Sequence, residues 1–269
     1  MQGRSAREAA AHPNRSPLFM RDPQLLSFVL LMGIAPITGS FLGVLIHRIP
    51  AGRKVGIDRS VCDVCGHVLN AFDLMPVINW VFSRGRCRYC GAGVSYLYPV
   101  IEIAALGLVV WAWSVFASWH LWASCILGWA LMVAVLINVS HFTVPGPLIL
   151  PMLLLGLGFS WFAEPGAFAD HLAGMVVTGA MGIALDILDR RLDDRLGFGG
   201  DADKLFAAAG AWLAWQGLPG LVAIAVAIGL VVSVVGAPRR WWGGRLAGGA
   251  CVALGLWLAW LYGPLTANW

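Results

Sequence analysis

Apolar runs recur along this chain, each about as long as a bilayer crossing. A hydrocarbon core about 30 Å thick needs about 20 apolar residues per helix. Between charged or Pro/Gly-rich breaks, helices are expected at Leu25 to Ile46, Tyr98 to Phe116, Leu121 to Val139, Leu148 to Phe162, Leu172 to Leu188, Leu205 to Leu218, Leu221 to Val235 and Leu246 to Leu261. With 59% hydrophobic and 12% charged residues, too little polar surface remains to solvate a globular fold, which excludes a soluble single domain. The net charge of +4 is scattered in short clusters rather than gathered on one face, which argues against nucleic-acid binding. The expectation is an all-α polytopic membrane protein with about eight transmembrane helices in a phospholipid bilayer. No internal repeat of 20 to 50 residues is visible.

Alternating the helices across the membrane puts His47 to Leu97, Asp189 to Lys204 and Gly236 to Arg245 on one face. These segments hold 14 of the 18 basic residues, and the opposite-face turns and C-terminus hold none. The positive-inside rule makes the basic face cytoplasmic. Arg4, Arg7, Arg15 and Arg21 break the pattern, and a translation start at Met20 would leave only Arg21 outside. Residues 25–46 are too long, and lack the Ala-x-Ala pattern, for a cleavable signal. The chain thus divides into a disordered tail at 1–24, a first transmembrane helix at 25–46, a cytoplasmic loop module at 47–97 and a helical membrane domain at 98–269. Trp241 and Trp242, after Arg239 and Arg240, read as an interfacial anchor.

Within the only long polar loop lie Cys62-x2-Cys65 and Cys87-x2-Cys90. Two such pairs supply four thiolates for a tetrahedral zinc, and Gly66 and Gly91 suit the tight turn after each pair. Two disulfides are the alternative, but a cytoplasmic loop is reducing and favours thiolate ligation. Four protein ligands leave no open position, so the metal's role is structural. A loop this short can hardly bury a core of its own, and the metal is expected to fold it. Cys125 and Cys251 lie in apolar helices and read as core residues.

Ionisable groups in membrane helices are costly and ask for a reason. Asn138, Ser140 and His141 close the third helix, Asp186 and Asp189 end the fifth, and Asp201, Asp203 and Lys204 open the sixth. Sidedness alone gathers these ends around one polar site at the cytoplasmic boundary. In Gly197-Phe198-Gly199-Gly200-Asp201-Ala202-Asp203-Lys204, glycines permit close backbone approach and an acid can cap the helix. Asp186 and Asp189 read more simply as a snorkelling charge cluster with the nearby arginines, and His141 as a helix-end imidazole facing water. Glu102 is expected to hydrogen-bond inside the bundle or to the cysteine module.

Four blocks resemble the bacterial type 4 prepilin leader-peptidase/N-methyltransferases. They are Gly39 to Pro50 at the first helix exit, the cysteine pairs with Asp73-Leu74-Met75-Pro76 between them and Arg84-Gly85-Arg86 before the second, Tyr98-Pro99-Val100-Ile101-Glu102, and the glycine-aspartate segment continuing to Trp212. Their order is kept from about residue 25 to the C-terminus. The resemblance implies an eight-helix inner-membrane aspartic peptidase. It would cut the basic leader of type 4 prepilins or type II secretion pseudopilins at a glycine-phenylalanine junction, then methylate the new amino terminus with S-adenosylmethionine. Two carboxylates, one ionised and one protonated, activate water and protonate the departing amide.

The sequence departs from the family pattern at both acids. Asn138 stands where the first aspartate is expected, with Pro145 in register, and cannot carry a shuttled proton. Aligning Lys204 puts Ala202 at the second position, flanked by Asp201 and Asp203. Three readings follow: a peptidase on a rearranged acid set, a non-catalytic prepilin-binding membrane protein, or a methyltransferase alone. In the first, Asp203 is preferred over Asp201, with a second carboxylate drawn from Asp189 or Asp186.

Overall fold

A computed structural model of the chain describes residues 23–53, 60–62, 64–70, 73, 75–199, 201–235 and 245–263. The N-terminal tail, with its arginines and Met20, and the Arg239 to Trp242 anchor lie outside these residues. The helices are α1 Pro23–Arg48, α2 Ile78–Phe82, α3 Leu97–Trp113, α4 Ser118–His141, α5 Gly146–Ala163, α6 Phe168–Arg191, α7 Ala202–Leu213, α8 Leu218–Val234 and α9 Gly248–Tyr262. Among the described residues the only β-type pairings are two isolated bridges in the cysteine loop.

The apolar runs become helices close to where their spacing placed them, with one clear correction. The sixth expected helix does not continue to Leu218. It stops at Leu213, because Ala214 turns to a φ of 54° and Pro219 falls in the first turn of a new helix. Pro is preorganised for that position, since its missing N–H has no intrahelical partner there.

Four helical segments are long and apolar enough to cross a membrane: Pro23–Arg48, Ser118–His141, Gly146–Ala163 and Pro165–Arg191. Helices α3 and α8 have 17 residues each, α9 has 15 and α7 has 12. Length alone therefore carries four of the eight expected crossings. The mostly helical, apolar architecture stands among the described residues, and the finer count does not follow from it.

Helices without a hydrophobic drive between them associate through small residues that let backbones close in. A Cβ on Gly39 would lie 2.7 Å from the Glu102 Cα, and one on Gly43 2.9 Å from the Tyr98 ring, which fixes α1 antiparallel to α3. On α6, Gly174 packs on the Ala214 backbone and Gly179 lies opposite Ala207, so α6 runs antiparallel to α7. Trp212 fills the space over Gly156 and donates its indole N–H to the Met152 carbonyl at 2.9 Å, tying α7 to α5. Trp257 lies over Gly128 in the same way and joins α9 to α4.

These directions gather the ends of α1, α4, α6 and α8 with the starts of α3, α5, α7 and α9. This polar end carries the cysteine loop and the α6–α7 connection. The opposite end is joined by Glu164, which lies 3.6 Å from His120 and 3.7 Å from His171, and by Asp170, which accepts from Trp215 and Gln216.

Candidate active site and metal centre

The cysteine loop is built from two similar turns. Cys62 donates its N–H to the His67 carbonyl and Cys87 to the Ala92 carbonyl, while Gly66 and Gly91 each donate back to the first cysteine of their pair. Both glycines are left-handed, with φ of 68° and 74°, a region that other residues rarely enter. The four sulfurs lie within 4.8 Å of one another, and Cys62 and Cys90 are 3.8 Å apart. No bond joins them, since a disulfide needs about 2.05 Å. A tetrahedron with metal–sulfur bonds of about 2.3 Å has edges of about 3.8 Å, so the four cysteines could hold one metal ion.

Their electrostatics fit a cation. Backbone hydrogen bonds from Cys65 and Val64 lower the Cys62 thiol from 9.0 to about 6. At Cys90 a backbone hydrogen bond involving Ala92 pulls downward, but desolvation and the three neighbouring sulfurs prevail and push it up to about 12. One thiolate is thus favoured and the accumulation of a second charge is resisted, the imbalance a bound cation relieves.

Asp73 organises the rest of the loop. Its carboxylate accepts from the Asn70 N–H and the Tyr89 hydroxyl, and faces Arg88 at 3.7 Å. The hydrogen bond to Asp73 also raises the Tyr89 hydroxyl above its ordinary value. Glu102, as expected, reaches this module from α3 and accepts the Val77 N–H at 2.6 Å. The loop is thereby fastened to the membrane helices.

At the polar end of α4, Asn138 is fully buried. It donates to the Gly197 carbonyl at 3.0 Å and accepts from the Ala250 N–H at 2.9 Å, bridging α4, the α6–α7 connection and α9. Gly197 and Gly199 pass so close that a Cβ would collide with the Leu246 and Phe142 carbonyls. Asp189 is also buried and accepts the Leu196 and Phe198 N–H groups at 2.8 and 3.0 Å. Asp186, on the α6 stripe of Gly174, Thr178 and Gly182, is only 8% exposed. The snorkelling reading of these two acids is therefore corrected. The stripe facing α7 carries them inward, and Asp189 folds the connection around itself.

Asp201 occupies the N-cap position of α7 without capping through its side chain, and its carboxylate instead pairs with Lys204. Asp203 lies in the first turn, on the side of α7 whose backbone approaches Gly179. The Lys204 ammonium feels Asp201, Asp203 and Asp186 together, and it lies 3.9 Å from where a Cβ on Gly146 would stand at the start of α5. His141 faces outward, as expected. A cleft of about 310 Å³ beside this cluster is lined by residues that include Phe142, Asp186, Arg190, Asp194 and Arg245.

Comparison with known proteins bears directly on this arrangement. Residues 31–116 match the bacterial peptidase A24 N-terminal domain, and residues 125–234 match the type IV leader peptidase family. A prepilin leader peptidase/N-methyltransferase of Stutzerimonas stutzeri is 31% identical over 91% of this chain and 94% of its own length. The chain belongs to the type IV leader peptidase family. Proteins of the same name from Burkholderia pseudomallei (strain 1026b) and Aeromonas hydrophila are 31% and 28% identical, each over 91% of this chain and over 86% and 93% of their own lengths. No solved structure matches.

Within that leader peptidase family framework, the structure brings Asp186, Asp201, Asp203 and Lys204 to one end of the α6–α7 pair and keeps Asn138 apart in a backbone bridge. Gly174, Thr178, Gly182 and Asp186 form an i, i+4, i+8, i+12 row in the sequence, which sets an acid on the packing face of the helix.

Proposed function

We propose that the chain is a working prepilin leader peptidase whose acid pair is Asp203 on α7 and Asp186 on α6. The observation that carries this is a mostly buried carboxylate on the α7-facing stripe of α6, at the level where α7 begins with Asp201, Asp203 and Lys204. Asp189 is already engaged by two backbone N–H groups, and Asn138 has no titrating group to offer. Two acids held close cannot easily both ionise, so one stays protonated. The ionised partner takes a proton from water as it attacks the scissile carbonyl, and the protonated one delivers a proton to the leaving amide. The products are a leader with a new carboxylate and a mature chain with a new amine. Lys204 holds Asp201 and offsets the local negative charge.

The substrate in this reading is a prepilin or pseudopilin in the same bacterial inner membrane, its basic leader at the cytoplasmic face with the cysteine module. All the helices except the five-residue α2 cross, eight in number, and the four cysteines hold a structural zinc. S-adenosylmethionine supplies the methyl group for the new amine. The enzymatic name of the relatives favours this reading over a protein that only binds prepilin. The test is prepilin processing in membranes where this chain is the only homologue, read as a leader-length mobility shift. Asp186→Asn and Asp203→Asn should each abolish it. Full processing by Asp186→Asn removes that residue from the pair.

A further inference from the structure

We propose that the short helix α2 lies in the membrane interface, with Ile78, Val81 and Phe82 set among lipid acyl chains as an anchor for the cysteine module. These three residues are 50, 59 and 82% exposed. At i, i+3 and i+4 they share one side of the helix. The other side is taken up by the module itself. The Trp80 ring lies over Gly85 and donates its indole N–H to the Val94 carbonyl, while the Asn79 amide donates to the Asp73 carbonyl and accepts from Arg88. The apolar stripe is therefore turned away from the loop that carries it.

Depth identifies what covers it. Glu102 accepts the Val77 N–H directly before α2, and the Glu102 backbone packs on Gly39 of α1. At 1.5 Å per residue, Gly39 lies about 13 Å from the α1 end at Arg48. The 26 residues of α1 extend about 39 Å, against a hydrocarbon core of about 30 Å. Even with all of the surplus at the Arg48 end, Gly39 stays inside the core. The Glu102 side chain leans toward the start of α3, that is, toward the polar end, so α2 begins near the boundary. Tyr96, 67% exposed and directly before α3, suits the headgroup level there. Charge favours lipid over substrate as the occupant. The exposed Arg84 and Arg86 follow α2 closely, and they suit the anionic headgroups of a cytoplasmic leaflet while repelling a basic prepilin leader. This last step rests on the orientation and substrate proposed above, whereas the depth argument rests on α1 alone.

The test is photocross-linking of the full chain in vesicles of phosphatidylcholine with about 30% phosphatidylglycerol. The photoreactive residue p-benzoylphenylalanine replaces Ile78, Val81 or Phe82 one at a time, and thermal unfolding checks that each variant is folded. Mass spectrometry should find phospholipid adducts at all three positions, at yields within about threefold of the same probe at Val231, an exposed residue of α8. Yields no higher than at Val64, which is exposed on the first cysteine turn, overturn the anchor. Cross-links to an added prepilin in place of lipid overturn it too, and make the stripe a substrate dock. Both leaflets have the same composition, so the readout does not depend on orientation. Leader cleavage by the same preparation keeps the two proposals separate. Cleavage without lipid adducts overturns the anchor and leaves the peptidase standing, whereas adducts without cleavage support the anchor and count against the peptidase alone.

Discussion

Asn138 has both ends of its amide committed to backbone, and an amide is the side chain that can donate to Gly197 and accept from Ala250 at once. An ionised aspartate there would set an oxygen against the Gly197 carbonyl. Asn138→Asp is therefore expected to destabilise the protein by about 1–3 kcal/mol, the cost of a broken buried hydrogen bond, and not to raise peptidase activity. Thermal unfolding in detergent and a cleavage assay check both halves, and faster cleavage by the variant would return the family position to the chemistry. Asp189→Ala should cost more, about 1.5–3 kcal/mol for each of two hydrogen bonds to a charged group, read by the same unfolding measurement. The sequence exposed Asn138 as a departure but not its task, because its partners lie 59 and 112 positions away. Long-range backbone pairing of a side chain leaves no local pattern.

The cysteine loop was far more legible, since its ligands and its glycine turns are set by spacing within each pair. What spacing could not reveal is the Asp73 tie, which crosses between the halves to Tyr89 and Arg88. The purified chain should hold one zinc, and chelation should open residues 60–96 to proteolysis. Zinc retention should also fall with acid, with a definite sign. The Cys62 thiol is depressed from 9.0 to about 6 by the backbone hydrogen bonds of its turn. Its contribution to folding is fully present above its unfolded value and is lost as pH falls through about 6. Protons compete with metal for the same thiolates, so zinc release on titrating below about pH 6 is expected, and retention unchanged at pH 4 would argue against thiolate ligation. Gly66→Val, forcing a β-branched residue to a φ of 68°, should cost about 1–3 kcal/mol and lower zinc content at neutral pH.

Across the whole molecule, apolar runs and charge asymmetry delivered helix order and a common polar end, because both signals are local. They could not settle α7, whose 12 residues reach only about 18 Å at 1.5 Å per residue. Tertiary ties show only that its two ends lie at opposite ends of the bundle. The Leu246 N–H reaches the Arg195 carbonyl at 2.7 Å, so α9 begins beside the end of α6, and α7 and α8 must leave and return between them. Their turn reaches the opposite end, where Trp215 and Gln216 donate to Asp170 at the start of α6. The polar start of α7 is extended by the connection folded around Asp189, and its apolar flanks Leu205, Phe206 and Trp212 are buried against other helices rather than lipid. A short helix can therefore complete a crossing inside the bundle. Alkaline phosphatase, which folds actively only outside the cytoplasm, should be active when fused after Glu164 and after Gln216, and inactive when fused after Arg195. Activity after Glu164 but not after Gln216 would mean that α7 dips into the membrane and returns to the cytoplasmic side.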